Sequence, residues 1–79
     1  EMPEGSYTTK LFEEGTTRIA QKVAEEGAEV ALAAATKDLA GLPGEAADLL
    51  YHTLVLLADV GVSPEDVWAE LRKRRQPEG

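Results

Sequence analysis

Residues 45–60 read Glu45-Ala-Ala-Asp-Leu-Leu-Tyr-His-Thr-Leu-Val-Leu-Leu-Ala-Asp-Val60 and are apolar nearly all round. This pattern is typical of a helix that is buried on most of its sides. Successive residues of a helix are rotated by about 100°, so the polar residues of the stretch share one narrow line. That line consists of Glu45, Asp48, His52 and Asp59. The stretch therefore predicts a core helix with an acidic seam, which Gly61 is expected to end.

A second helical pattern runs from Thr17 to Thr36 and also carries acids. Its apolar residues recur at helical spacing and form one stripe, made of Ile19, Val23, Val30 and Ala34. Glu26 falls within this stripe, and Glu29 lies at the edge of the stripe, one turn further along the helix. The 15 residues between Glu29 and Glu45 can finish this helix, turn, and begin the next one in the opposite direction. Two facing helices would then bring the pair Glu26/Glu29 and the pair Glu45/Asp48 around one cavity.

Carboxylates inside a protein need a compensating cation. Burying one unpaired carboxylate costs several kcal/mol, so four of them would cost roughly the whole stability of a small domain. Lys22 is the only Lys or Arg one turn from Glu26, and residues 45–60 contain neither Lys nor Arg. Carboxylate oxygens in a chain without Cys favour a hard divalent ion, so we expect Mg²⁺, with Mn²⁺ as an alternative. The competing interpretation, that such acids are solvated or face a helix dipole, suits Glu25 and Asp59 best.

The bulk properties narrow the classes of protein that fit. A chain of 79 residues forms one domain with a large exposed fraction, which a partner chain would reduce. The net charge of −7 argues against nucleic acid or an anionic membrane as a partner. The longest apolar run is far too short to span a bilayer, and no signal peptide is visible. The absence of Cys is compatible with a cytoplasmic protein.

Pro and Gly divide the N-terminal part of the chain. We predict a linker at residues 1–5, one domain at residues 6–76 and a tail at residues 77–79. Ser6 is expected to cap a short helical turn that stops at Gly15, and Thr16 or Thr17 to cap the following helix. The first residue is Glu1 and not Met, which predicts either a fragment or a chain from which an upstream segment is missing.

A fourth helix is predicted after Ser63 as N-cap, with Pro64 at its first position. Its inner face would consist of Val67, Trp68 and Leu71. Residues 72–75 are all basic and are interpreted as a helix end favoured by the dipole, with phosphate binding as the alternative. Since no strand pattern is found, the predicted fold is all-α, a bundle of about four helices.

Three segments carry a family resemblance: Ser6-Tyr-Thr-Thr-Lys-Leu-Phe12, Arg18-Ile-Ala-Gln-Lys-Val-Ala-Glu-Glu-Gly-Ala-Glu29 and Glu45-Ala-Ala-Asp-Leu-Leu-Tyr-His52. Over about Pro3 to Arg75 the chain resembles the phosphoribosyl-ATP pyrophosphohydrolases of histidine biosynthesis. The EExxE and ExxD elements alone indicate only the wider MazG-like NTP pyrophosphatase superfamily, whereas the first and third segments point to this member. The resemblance implies a MazG-like fold and a cytoplasmic homodimer. It also implies Mg²⁺-dependent hydrolysis of phosphoribosyl-ATP to phosphoribosyl-AMP and pyrophosphate.

The resemblance also implies roles for individual residues. The metal ligands would be Glu26, Glu29, Glu45 and Asp48. Glu25 and Glu26 would be catalytic, where Glu25 polarises water or binds a second ion. Lys22 and Lys10 would contact phosphates of the substrate. Tyr7, in the segment from Ser6 to Thr8, would lie near the substrate, with a simple helix start as the alternative for that segment. His52 lies one turn beyond Asp48 and is expected either to contact substrate and orient that acid or to be a structural histidine with satisfied hydrogen bonds.

Two departures from the family pattern bear on these expectations. Family members usually carry another helix before the segment that begins at Ser6, and only five residues precede it here. A truncated chain and a domain fused behind a phosphoribosyl-AMP cyclohydrolase both fit this start. The second departure is Leu42-Pro-Gly44, where helix formers are common. It could shift the entry of the third helix, but Glu45 and Asp48 are expected to stay inward because the apolar pattern after them fixes the rotation.

Other functions compete with this hypothesis. A MazG-like or dUTPase-like house-cleaning nucleotide pyrophosphatase would use the same acids on other nucleotides. A non-catalytic helical dimerisation module would account for the short, Ala-rich chain. A di-iron site is not favoured, because Leu49 occupies the position three residues before His52 and no Glu-x-x-His motif is present.

Overall fold

The computed structural model describes residues 3–75, with side chains from Ser6 onward, as four helices. They are α1 (Pro3–Glu14), α2 (Thr16–Ala35), α3 (Leu42–Val60) and α4 (Pro64–Arg75). No strand occurs between residues 3 and 75, so the all-α prediction is confirmed. The predicted tail at residues 77–79 and the first two residues of the predicted linker lie outside the described part of the chain.

The two longest helices are antiparallel neighbours. Thr16, the first residue of α2, donates a hydrogen bond from its hydroxyl to the carboxylate of Asp59 near the end of α3. At the other end of the pair, Glu29 of α2 lies beside Glu45 of α3. α1 folds back onto α2, and the small core consists of Leu11, Ile19 and Val55, with Tyr51 and Leu56 packed against it.

The helix ends explain why the chain turns where it does. Gly15, between α1 and α2, has φ 96°, a conformation that costs Gly little. After α2 the chain forms a Schellman motif, because Asp38 N–H donates to the Ala33 carbonyl and Lys37 N–H donates to the Ala34 carbonyl. Lys37 holds the left-handed position of that motif with φ 65°, whereas Gly61 holds the corresponding position after α3 with φ 80°.

Several predicted boundaries need correction. α1 begins at Pro3 and not after a Ser6 cap, and α3 begins at Leu42, three residues before Glu45. Pro43 therefore lies in the first turn of α3, where its missing N–H is harmless. The N-cap of α2 is Gly15, without a side-chain hydrogen bond, and not Thr16 or Thr17, which lie inside the helix. The Ser63 cap of α4 is confirmed by its Oγ, which accepts a hydrogen bond from Glu65 N–H at 3.1 Å.

The predicted burial is only partly confirmed. The buried residues of α2 follow a seven-residue repeat, so Ala33 is buried in place of Ala34. α3 was predicted to be buried on most sides, but in the described chain only His52 and Val55 of this helix are buried. α4 has no buried residue, and the expected inner residues Trp68 and Leu71 are 43% and 48% exposed.

No single helix of residues 3–75 is long and apolar enough to cross a membrane. α3 and α4 together have the length and composition of a span, but the pair is bent by 116°.

Candidate active site

Three carboxylates from two helices converge near the end of the α2–α3 pair where residues 36–41 connect the two helices. One oxygen from each of Glu26, Glu29 and Glu45 lies within 4.8 Å of the other two. Glu26 is buried, Glu45 is partly buried and Glu29 is exposed, so the cluster leads from the protein interior to solvent. The antiparallel packing creates this convergence, because the late turns of α2 face the first turns of α3. Three oxygens at this separation match the donor set of a hard divalent cation.

Glu26 has an unusual environment for a buried acid. Its residue exposure is 7%, and its Oε1 has no hydrogen-bond partner in the described chain. Its Oε2 lies 3.7 Å from the Lys22 ammonium. A buried carboxylate oxygen without a partner is costly, and a cation between Glu26, Glu29 and Glu45 would remove that cost. The residues present therefore fit a bound Mg²⁺ or Mn²⁺.

The electrostatics of Glu45 indicate how closely the acids are placed. Its pKa is raised above the ordinary value of 4.5, first by a hydrogen bond with the Glu29 carboxyl group and then by burial. The negative charges of Glu29, Glu26 and Asp48 raise this pKa further. In the absence of a cation the cluster therefore retains a proton more readily than separated carboxylates would.

A cavity of about 550 Å³ opens beside the three acids. Its lining consists of Tyr7, Lys22, Glu26, Ala47, Asp48, Tyr51 and His52. Asp48 is exposed and stands outside the close cluster of Glu26, Glu29 and Glu45. It nevertheless faces the same cavity as Glu26, so it can meet a molecule that is bound to the other acids.

His52 is held in one orientation by two hydrogen bonds. The Asp48 backbone carbonyl can only accept, so His52 Nδ1–H donates to it, at 2.7 Å. In the neutral ring Nε2 then accepts, and the Tyr7 hydroxyl donates to it at 2.7 Å. His52 is 5% exposed, and both ring nitrogens have partners inside the protein. The structure thus supports the structural alternative for His52, while contact with a substrate through its ring edge stays a prediction.

Tyr51 is a cavity residue that the sequence patterns did not single out. Its ring stacks on Tyr7 with centroids 6.1 Å apart and meets His52 edge-on at 5.2 Å. Its hydroxyl also hydrogen-bonds the Thr8 hydroxyl. The one available signal was its place beside His52 in the third quoted segment. These rings join α1 to α3 and form the aromatic wall of the cavity.

The remaining predicted residues divide between the cavity and the surface. Lys22 lines the cavity and lies 3.8 Å from Glu25 and 3.7 Å from Glu26. Glu25 is exposed, as its rotation on the helix predicts, and accepts a hydrogen bond from Gln21 at 3.1 Å. Lys10 lines neighbouring grooves and not the cavity itself. Catalytic and substrate-binding roles for these residues stay predictions.

Comparison with known proteins places this arrangement in a family. The family model described as phosphoribosyl-ATP pyrophosphohydrolase matches residues 1–75. The chain is 58% identical to a phosphoribosyl-ATP pyrophosphatase of Pelotomaculum thermopropionicum, covering 94% of this chain and 76% of the relative. It is 51% identical to the phosphoribosyl-ATP pyrophosphatase of Azospirillum brasilense, covering 98% of this chain and 69% of the relative.

Longer relatives contain a similar segment as part of a larger protein. The histidine biosynthesis bifunctional protein HisIE of Shewanella oneidensis is 60% identical over 74 residues, which are 94% of this chain and 35% of the relative. The chain thus spans about a third of the length of that bifunctional relative. The family match covers the acids, the cavity and the aromatic wall alike, and the chain belongs to the phosphoribosyl-ATP pyrophosphohydrolase family.

Proposed function

We propose that this chain hydrolyses phosphoribosyl-ATP to phosphoribosyl-AMP and pyrophosphate with bound Mg²⁺, the second step of histidine biosynthesis. Family membership supports the reaction. The observation that carries the metal dependence is the convergence of Glu26, Glu29 and Glu45 within 4.8 Å around a buried, unpartnered Glu26 oxygen. Asp48 would complete the ligand set from the cavity wall.

The chain's own residues can prepare a triphosphate for this reaction. Bound at these acids, a divalent ion would neutralise phosphate oxygens and lower the pKa of an attacking water. Lys22 adds a positive charge at the edge of the acids, so a polyphosphate there would meet a cation on the protein side as well. Tyr7 and Tyr51 offer aromatic surface in the same cavity, which suits the base of a nucleotide.

Pyrophosphate release from phosphoribosyl-ATP, dUTP and dCTP with Mg²⁺ tests this proposal. We expect release from phosphoribosyl-ATP only, and no release in EDTA. Glu26→Gln should lower kcat/KM by about 100-fold or more, because it removes a charged ligand. Glu70→Gln removes an equally charged group from α4, where Glu70 pairs with Lys73 and Arg74, and should leave the rate unchanged. Cleavage of dUTP or dCTP but not of phosphoribosyl-ATP would instead establish the house-cleaning alternative.

A homodimer is the assembly that the surface supports. The radius of gyration is 14.8 Å, whereas a compact chain of this length would have about 12 Å. Leu50 is 60% exposed and Trp68 is 43% exposed, and both line an apolar groove of about 170 Å³ between α3 and α4. A second copy that covers this surface would complete the core that a chain of this size lacks. Sedimentation should give a dimer for the wild type and a monomer for Leu50→Glu. A monomeric wild type would contradict the assembly.

The non-catalytic alternative differs in its response to metal. A mere dimerisation module should give no calorimetric signal on Mg²⁺ titration, and Glu26→Gln or Asp48→Asn should leave its thermal stability unchanged or raised. We also propose that the enzyme works in the cytoplasm. The bifunctional relatives support a fused or associated phosphoribosyl-AMP cyclohydrolase as its partner, which co-purification from the source cells would test.

A further inference from the structure

A small basic groove lies between α1 and α2, next to the acidic cavity. Its volume is about 150 Å³, and its lining consists of Tyr7, Lys10, Leu11, Glu14, Arg18 and Lys22. Three cations and one acid give this groove a local charge of about +2 in a chain whose net charge is −7. A cluster of like charges with a concave shape favours a multivalent anion.

Two of these cationic side chains have N–H donors that other ion pairs do not use and that could bind such an anion. Arg18 pairs with Glu14 through Nε at 3.5 Å, and no other ion pair of its guanidinium occurs in the described chain. No ion pair of Lys10 occurs there either. Since a guanidinium carries five N–H donors in a planar fork, Arg18 can hold Glu14 through one edge and phosphate oxygens through another.

The groove adjoins the acidic cavity. Tyr7 and Lys22 line both, and the Lys22 ammonium is 3.7 Å from Glu26 Oε2. An anion in the groove would therefore begin where the carboxylate cluster ends. In a triphosphate, the two terminal phosphates are linked directly to the α-phosphate, where the bond is hydrolysed. The phosphate on the second ribose of phosphoribosyl-ATP is separated from the α-phosphate by the whole adenosine.

We propose that this groove binds the leaving pyrophosphate, with Arg18 and Lys10 as its binding residues and Lys22 at its junction with the acids. This proposal rests on the proposed function, and it adds that different parts of the substrate bind in different cavities. The terminal phosphates lie in the basic groove, and the nucleoside lies in the larger cavity with the aromatic wall.

Calorimetric titration of inorganic pyrophosphate in EDTA tests the groove without metal and without turnover. We expect the wild type to bind pyrophosphate, and Arg18→Gln to weaken the affinity by about tenfold or more, because charge-assisted hydrogen bonds are lost. Arg18→Lys, which keeps the charge, should lose less. Arg72→Gln is the matched control, since Arg72 also forms a 3.5 Å ion pair with a glutamate, Glu65, but on α4. It should bind like the wild type.

Three results would overturn the proposal. They are absence of pyrophosphate binding by the wild type in EDTA, an equal loss in Arg18→Gln and Arg72→Gln, and tighter binding of ribose 5-phosphate than of pyrophosphate in the Arg18-dependent site. Circular dichroism of each variant checks that the helices are retained. Hydrolysis of phosphoribosyl-ATP is measured separately, so a chain that binds pyrophosphate through Arg18 but hydrolyses nothing would refute the proposed function and retain the groove.

Discussion

Glu29 and Glu45 belong to different helices, yet their carboxyl groups hydrogen-bond each other, and this contact is the main reason why the pKa of Glu45 is raised. Two carboxyl groups can form such a bond only when one of them carries a proton. The contact therefore links the packing of α2 against α3 to proton uptake at the site. A divalent ion bound there would need the same oxygens without the proton, so a proton and the proposed metal would compete for this position.

The proton shared by Glu29 and Glu45 predicts how pH affects the metal-free protein. A carboxyl group whose pKa is raised by folding contributes stability below its unfolded pKa, near 4.5, and this contribution is lost as the pH rises through the folded value. The free energy of unfolding of the wild type should therefore fall relative to that of Glu45→Gln as the pH rises above 4.5. Urea unfolding of both proteins in EDTA at a series of pH values measures this difference. A difference that does not vary with pH would contradict the proton-sharing contact.

Mg²⁺ should restore stability through the same acids. At a free concentration 100 times the dissociation constant, a ligand that binds only the folded chain adds about 2.7 kcal/mol. We expect thermal unfolding to show this increase for the wild type and none for Glu26→Gln, and the increase should grow with pH as protons leave Glu45. Glu70→Gln serves as control and should respond like the wild type. An equal response of Glu26→Gln would mean that Mg²⁺ binds elsewhere.

The bond from Tyr7 to His52 should be worth about 1–2 kcal/mol of stability. Tyr7→Phe removes the donor and leaves Nε2 of a ring that is 5% exposed without its partner. The ring cannot compensate by exchanging its proton, because Nδ1–H is already given to the Asp48 carbonyl. A double-mutant cycle with His52→Gln, followed by denaturant unfolding, isolates the pair from the stacking of Tyr7 on Tyr51. Additive effects of the two substitutions would show that the bond contributes nothing.

The two Schellman motifs predict opposite outcomes for a matched pair of substitutions. Lys37→Gly relieves a left-handed residue with a side chain and should raise stability by a few tenths of a kcal/mol to about 1 kcal/mol. Gly61→Ala introduces that strain after α3 and should lower stability by about 1 kcal/mol. Thermal unfolding of both variants checks the signs. Two changes of the same sign would contradict the assigned backbone conformations.

Gly27, in the interior of α2, should be replaceable by alanine with a gain. A Cβ at this position would meet only Leu49 Cδ1, at 4.0 Å, which is ordinary contact. Helix propensity then predicts a rise of about 1 kcal/mol in the free energy of unfolding. Because Gly27 follows Glu26, kcat/KM for phosphoribosyl-ATP is measured as well and should not change. Loss of stability would indicate that α2 and α3 approach more closely than this distance implies.

The sequence patterns predicted the helices well because periodicity and end signals are local properties. They could not predict the hydrogen bond from the Thr16 hydroxyl to Asp59, because the two residues are 43 positions apart in the sequence. The left-handed Lys37 was missed because no residue preference marks it. Burial of α3 and α4 was overestimated. An apolar helix face predicts that another surface covers it, but it does not say whether that surface belongs to the same chain or to a partner.

The same distinction applies to the site. The spacing of the acids predicted that Glu26, Glu29 and Glu45 meet, because both helix rotations follow from local pattern. Asp48 was expected in the same cluster, but it faces the adjoining cavity. The aromatic wall depends on where α1 folds back, and only Tyr7 and His52 of that wall were anticipated. A role for Arg18 was not predicted, because a single arginine on a helix does not by itself indicate a binding site. The groove exists only once α1 packs beside α2.

Lys22 would influence which ion the proposed metal site accepts, although its ammonium need not touch the ion. Its ammonium lies 3.7 Å from Oε2 of Glu26, whereas Oε1 is buried without a hydrogen-bond partner, so this acid would offer the ion one oxygen. Ca²⁺ often takes both oxygens of a carboxylate and six to eight ligands, whereas Mg²⁺ accepts single oxygens in a tight octahedron. The lysine would therefore make the site discriminate against the larger cation, and replacing Lys22 with an uncharged residue would relax that discrimination.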